Sequence, residues 1–116
     1  MQLPEIQKIF LTWASEKPLI NRLWLFGSRV RGEHRPDSDV DVAIELDMSV
    51  AKGADESGGA ATWALDTEPW RPELELLLSM VVDLKRYKTG ETKIIQAGLE
   101  QSSILVYEKS RGEQLI

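Results

Sequence analysis

An apolar run, Leu23 to Phe26, stops at Gly27-Ser28, and after a ten-residue spacer Asp39-Val40-Asp41 opens a second apolar run. Side chains alternate across a strand with period two. Asp39 and Asp41 therefore share one face, and Val40, Val42 and Ile44 share the other. The valines are expected in a core and the aspartates in a cleft. Two carboxylates held this close repel each other unless a cation lies between them. Glycine lets a backbone approach a phosphate closely, and Ser28 adds a hydroxyl and an N–H. The segment thus sets a phosphate cradle beside a pair of hard-cation ligands.

Composition narrows the chemistry. The chain has 116 residues, which suits one small domain over 1–116, and 42% of them are hydrophobic, enough for a real core. It has no cysteine and one histidine, His34, so a thiolate or imidazole metal cluster is excluded. Any metal must be held by carboxylates and other oxygens, which suits Mg²⁺ or Mn²⁺. The net charge of −5 argues against stable nucleic-acid binding. There is no signal-peptide pattern and no apolar stretch of about 18 residues, so the expectation is a soluble, cytoplasmic chain without a membrane partner.

Periodicity gives the order helix, strand, turn, strand, helix, strand, helix, strand. Pro4 marks a first helical turn, Ile6, Ile9, Phe10 and Trp13 form one face, and Lys17-Pro18 ends the helix. Leu19 to Phe26 reads as a strand apolar on both faces, hence central. Ser28 to Arg31 is one helical turn, Gly32 to Ser38 a polar loop, and Asp39 to Leu46 the second strand. Lys52 to Ala61 reads as a loop. Trp63, Trp70, Leu74 and Leu77 form a helical stripe that Pro69 and Pro72 must bend or split. Ser79 to Arg86 is a third strand, Glu91 to Gln101 a helix with Ile94, Ile95 and Leu99 inward, and Ile104 to Tyr107 an edge strand. The expected fold class is α/β (α+β): a small mixed four-stranded sheet with helices packed against it.

Asp83 is the third candidate acid. It interrupts Met80-Val81-Val82 and, by alternation, lies opposite Val82 and Leu84, on a face with Val81 and Lys85. An acid in a central strand is costly unless paired or bound to metal. Each feature has a plain alternative: Asp39-Val40-Asp41 as a polar strand start, Ser28 as an ordinary helix N-cap, Asp83 as a loop cap. Arg29 and Arg31 either steer an anion or form an exposed charged turn. Lys85, Arg86 and Lys88 read as a solvated strand end, with Lys85 within reach of Asp83. Trp63 and Trp70 read as core or partner-facing anchors rather than base-stacking groups.

Taken together, Leu25-Phe26-Gly27-Ser28-Arg29-Val30-Arg31-Gly32, Ser38-Asp39-Val40-Asp41-Val42 and Val82-Asp83-Leu84 resemble the minimal nucleotidyltransferases (MNT) of the DNA polymerase β superfamily. Their pattern is Gly-Ser, a ten-residue spacer, Asp-x-Asp, then an Asp on a later strand. The nearest likeness is to MNT antitoxins of toxin–antitoxin modules with HEPN-domain partners. The resemblance implies the nucleotidyltransferase fold, ATP as substrate and Mg²⁺ as cofactor. It implies that Asp39, Asp41 and Asp83 bind metal and carry catalysis, Asp83 also helping to activate the acceptor hydroxyl. Gly27 and Ser28 would bind the β and γ phosphates. Val30 stands where alanine is common, and Pro69 and Pro72 interrupt a helix that is often smoother.

The function so implied is transfer of AMP to a hydroxyl, a tyrosine of a HEPN ribonuclease toxin, which silences the toxin. Two alternatives stay open: an antitoxin acting by contact alone, and transfer to a small molecule such as an aminoglycoside. The absence of an extra helical domain weighs against the last.

Overall fold

The computed structural model describes residues 1–50, 58–88 and 93–109. Helix α1, Leu3–Ser15, begins with Pro4 in its first turn and with the Glu5 carboxylate accepting the Gln2 N–H at 3.4 Å. Its inner face is Ile6, Phe10, Trp13 and Ala14, all buried. Pro18 stops the helix, and β1, Ile20–Phe26, follows. Helix α2 is the single turn Ser28–Arg31, closed by Gly32 in the left-handed region at φ +74°. Strand β2 is Val40–Leu46, followed by a short 3₁₀ turn, Met48–Val50. Then come α3, Ala60–Asp66, α4, Trp70–Leu78, β3, Val82–Arg86, α5, Lys93–Gln101, and β4, Ser103–Glu108.

The four strands form one mixed sheet in the order β3-β2-β1-β4. β1 is central, antiparallel to both β2 and β4, while β2 and β3 run parallel. The parallel pair requires the long crossover that α3 and α4 supply. Leu23, Leu25, Val42, Ile44 and Val82 point to one face and are sealed there by Phe10, Trp13, Trp70 and Leu74 of α1 and α4. Trp13 and Trp70 meet edge to face at 5.4 Å, and Trp63 and Trp70 at 6.4 Å, so these rings serve as core. The opposite face carries Phe26, Asp41 and Asp83, with Gly98 of α5 over the Phe26 ring, where a Cβ on Gly98 would stand 3.5 Å from it.

The architecture agrees with the expected fold class, and four details differ. The stripe from Trp63 to Leu77 splits at Thr67–Pro69, as the prolines predict, but Leu77 does not stay on its inner side. The break resets the phase, so Trp70, Leu74 and Leu78 are buried and Leu77 is half-exposed. Asp83 lies on an edge strand rather than a central one. Ser79 ends α4 at φ +55°, so β3 starts at Val82 and Val81 is exposed. The expected loop over 52–61 ends earlier, since α3 starts at Ala60, and its residues 52–57 lie outside the described residues. Glu91 and the inward packing of Ile94 and Ile95 likewise fall outside the described residues.

Candidate active site

Register brings the two motifs together. Phe26 pairs with Asp41 across β1 and β2, and Asp41 pairs with Asp83 across β2 and β3. Paired residues share a face, so Asp83, Asp41 and Phe26 form a row on the sheet surface away from α1 and α4. Gly27 comes next along β1 at the end of that row. It adopts φ +81° and ψ −160°, a conformation open in practice only to glycine. A Cβ on Gly27 would lie 2.0 Å from Asp41 Oδ2. The missing side chain therefore makes room for a carboxylate.

Asp41 is half-buried, and its acid is pushed above the usual carboxylate range. Burial is the main cause, followed by the negative charges of Asp83 and Asp39 and a hydrogen bond with Asp83. The Arg31 guanidinium opposes the shift. Asp39 is exposed just ahead of β2, on the same face by alternation. Asp83 is partnered by Lys85, whose Nζ lies 3.3 Å from its Oδ1.

Arg29 is 7% exposed and does not reach into the cleft. Its Nε and Nη2 donate to the Ser38 carbonyl at 3.2 and 2.7 Å, and Nη2 also donates to that of Pro36 at 3.4 Å. The turn is closed further by the Arg35 N–H on Ser38 Oγ at 2.8 Å and the Ser38 N–H on the Arg35 carbonyl at 3.0 Å. The Val40 N–H then donates to the Val81 carbonyl at 2.9 Å, tying the start of β2 to the approach to β3. Arg29 is thus neither an anion-steering residue nor an exposed charge. It holds the segment that delivers Asp39, a role the alternation pattern gives no sign of. Arg86 and Lys88 were expected in solvent but both donate to the Gly58 carbonyl, Lys88 at 2.9 Å. Arg31, exposed, pairs with Glu33 at 3.5 Å, and His34 is exposed in the loop.

The donor set is all hard oxygen. Its crowding at Asp41 is the repulsion that a divalent cation relieves, so these residues fit Mg²⁺. Among the described residues no three His, Cys, Asp or Glu side chains close on a single point. The nucleus of the site is the pair Asp41 and Asp83, with Asp39 at its mouth. Ser28 opens α2, and the leading N–H groups of a helix have no partner within it.

Comparison with known proteins agrees with this fold. No curated protein matches the sequence. Among solved structures, a toxin–antitoxin with AMP-PNP contains a chain similar at TM-score 0.57 and 23% identity, covering 97% of this chain and 80% of that one. The MntA–HepT toxin–antitoxin is similar at TM-score 0.55 and 18% identity, over 97% of this chain and 78% of that one. The tri-AMPylated Shewanella oneidensis HEPN toxin in complex with MNT antitoxin is similar at TM-score 0.53 and 21% identity, over 99% and 79%. At these identities the likeness speaks to the fold. A family model, nucleotidyltransferase domain, matches residues 6–110, and so nearly the whole chain. With that match and this fold, the chain belongs to the nucleotidyltransferase domain family.

Proposed function

We propose that the chain is a Mg²⁺-dependent nucleotidyltransferase that moves AMP from ATP to a tyrosine hydroxyl of a HEPN ribonuclease toxin, and so acts as its antitoxin. The observation that carries the reading is the register row in which Asp41 and Asp83 stand side by side, ending at Gly27-Ser28. Family membership supports nucleotidyl transfer. The likeness to a complex of a tri-AMPylated HEPN toxin with an MNT antitoxin supports the choice of nucleotide and acceptor.

In this reading Asp39, Asp41 and Asp83 are the metal ligands and the catalytic acids. Bound Mg²⁺ supplies charge neutralisation at the phosphates. Gly27 and Ser28 hold the β and γ phosphates through backbone N–H groups and the Ser28 hydroxyl. This orients the α phosphorus toward the acceptor. The acceptor oxygen bonds to that phosphorus as the bond to pyrophosphate breaks, and Asp83 draws off the hydroxyl proton. Most of the rate gain comes from positioning and charge compensation.

The test combines the full chain, ATP, Mg²⁺ and a co-expressed HEPN protein, read by intact-mass and peptide mass spectrometry. The expected result is an adenylyl adduct on a HEPN tyrosine that disappears with the double substitution Asp39→Asn and Asp41→Asn, while the two proteins still co-purify. A stable complex with an unmodified partner would instead support neutralisation by contact alone.

A further inference from the structure

The helical layer on the far side of the sheet from Asp41 carries a second surface. A groove of about 480 Å³ runs between α1 and α4, floored by Ile9, Trp13 and Leu77. Its internal charge is already matched: Glu73 accepts from Trp13 Nε1 at 3.0 Å and from Lys17 Nζ at 2.7 Å. Leu77 in its floor is 52% exposed, and Leu76, next to it in α4, is 84% exposed. Along the outer side of α1 run Lys8, Thr12 and Glu16, all exposed, at successive helical turns. Among the described residues neither Lys8 nor Glu16 forms an ion pair. The pattern is symmetric about Thr12, with a cation one turn before it and an anion one turn after it.

We propose that this face is a self-association surface, on which two copies of the chain pack α1 against α1 about a two-fold axis passing by Thr12. An isologous contact requires a patch complementary to itself under rotation. Antiparallel α1 helices crossing at Thr12 place Lys8 of each copy opposite Glu16 of the other, giving two equivalent ion pairs. The small Thr12 side chains permit close approach, and Leu77 of both copies loses solvent. A partner with unrelated charges would have no reason to match a pattern centred on one residue. Asp41 and Asp83 lie on the opposite sheet face, so both sites stay open in the pair, and the inference does not depend on the proposed reaction.

Sedimentation equilibrium of the full chain over a wide concentration range tests the proposal. The unaltered chain is expected to form dimers. Lys8→Glu or Glu16→Lys alone sets like charges opposite each other at both ends and should weaken association by roughly tenfold or more. The double exchange of both residues restores the opposite pairs and should restore the dimer. Thr12→Arg, which blocks the crossing point, should abolish it, with circular dichroism confirming that each variant is folded. A chain that stays monomeric throughout would overturn the proposal. So would a dimer insensitive to all these changes, a double exchange that fails to rescue, or a groove covered only when a HEPN protein is added.

Discussion

Gly27 leaves the space that the Asp41 carboxylate fills: a Cβ at position 27 would stand 2.0 Å from Asp41 Oδ2. The glycine therefore acts on the acid as much as on any phosphate. Gly27→Ala is expected to displace Asp41 and to carry a backbone cost of about 1–3 kcal/mol, because φ +81° with ψ −160° suits no other residue. Nucleotidyl transfer should be lost, and Mn²⁺ binding followed by electron paramagnetic resonance should weaken with it. Ser28→Ala leaves the backbone intact and removes one hydroxyl. A hydrogen bond to a charged group is worth about 1.5–3 kcal/mol, so transfer should fall roughly tenfold to a hundredfold, with metal binding unchanged.

Arg29 should prove a positioning residue. Arg29→Ala strands the Ser38 and Pro36 carbonyls and is expected to cost about 1.5–3 kcal/mol in urea unfolding. Arg29→Lys keeps the charge but not the fork and should recover little of that. Both variants should weaken Mn²⁺ binding although neither removes a ligand, since Asp39 directly follows the segment Arg29 holds.

Asp41 gives a dependence on pH and metal with a definite sign. Its folded pKa lies above the ordinary value of 3.8, so the protonated acid suits the fold better than the ion does. Its contribution is fullest below that ordinary value and is lost as pH rises through the folded value. At neutral pH the ionised group costs stability. In chelator at pH 7, Asp41→Asn should melt at a higher temperature than the unaltered chain, and the gap should close as the pH is lowered toward 4. Mg²⁺ should raise the melting temperature of the unaltered chain and leave that of the variant in place.

At the other end of the sheet a second acid behaves in the opposite sense. Asp47 is 7% exposed and accepts from Lys109 Nζ at 2.7 Å and from the Ser49 hydroxyl and N–H at 2.5 and 3.1 Å. The Lys109 bond and then the Ser49 hydroxyl hold its pKa down to about 2. Stability from this group is complete above pH 3.8 and disappears as pH falls through about 2. Asp47→Asn should therefore cost roughly 2 kcal/mol at pH 7, with the difference from the unaltered chain shrinking to nothing near pH 2. Lys109→Met should do similar damage, since the same ammonium also donates to the Pro18 carbonyl at 2.7 Å.

The sequence carried the site's layout further than its supports. Alternation put Asp39 and Asp41 on one face because a strand's period is fixed, and the Val82-Asp83-Leu84 alternation did the same for Asp83. The leucine run at 76–78 held no phase of its own. Which leucine turns inward depends on where α4 begins, and Pro69 sets that start. Arg29 was beyond reach for a different reason. A charged residue in a turn reads as solvated until the folded chain shows carbonyls converging on it. Asp47 and Lys109 meet only because β4 returns beside β1, a pairing that no local pattern announces.

The edge position of β3 sets an order of events. Gly27, Asp39 and Asp41 belong to one hairpin, whose strands can pair as soon as both exist. Asp83 reaches them only after α3 and α4 have been made and the parallel pairing has closed across that span, which is the slow kind of contact to form. A chain still being synthesised, or one with β3 peeled away, would keep the turn and two of the acids but lack the third. In the proposed reaction, competence would thus arrive as the last strand on that side docks, and a half-built molecule would stay inert.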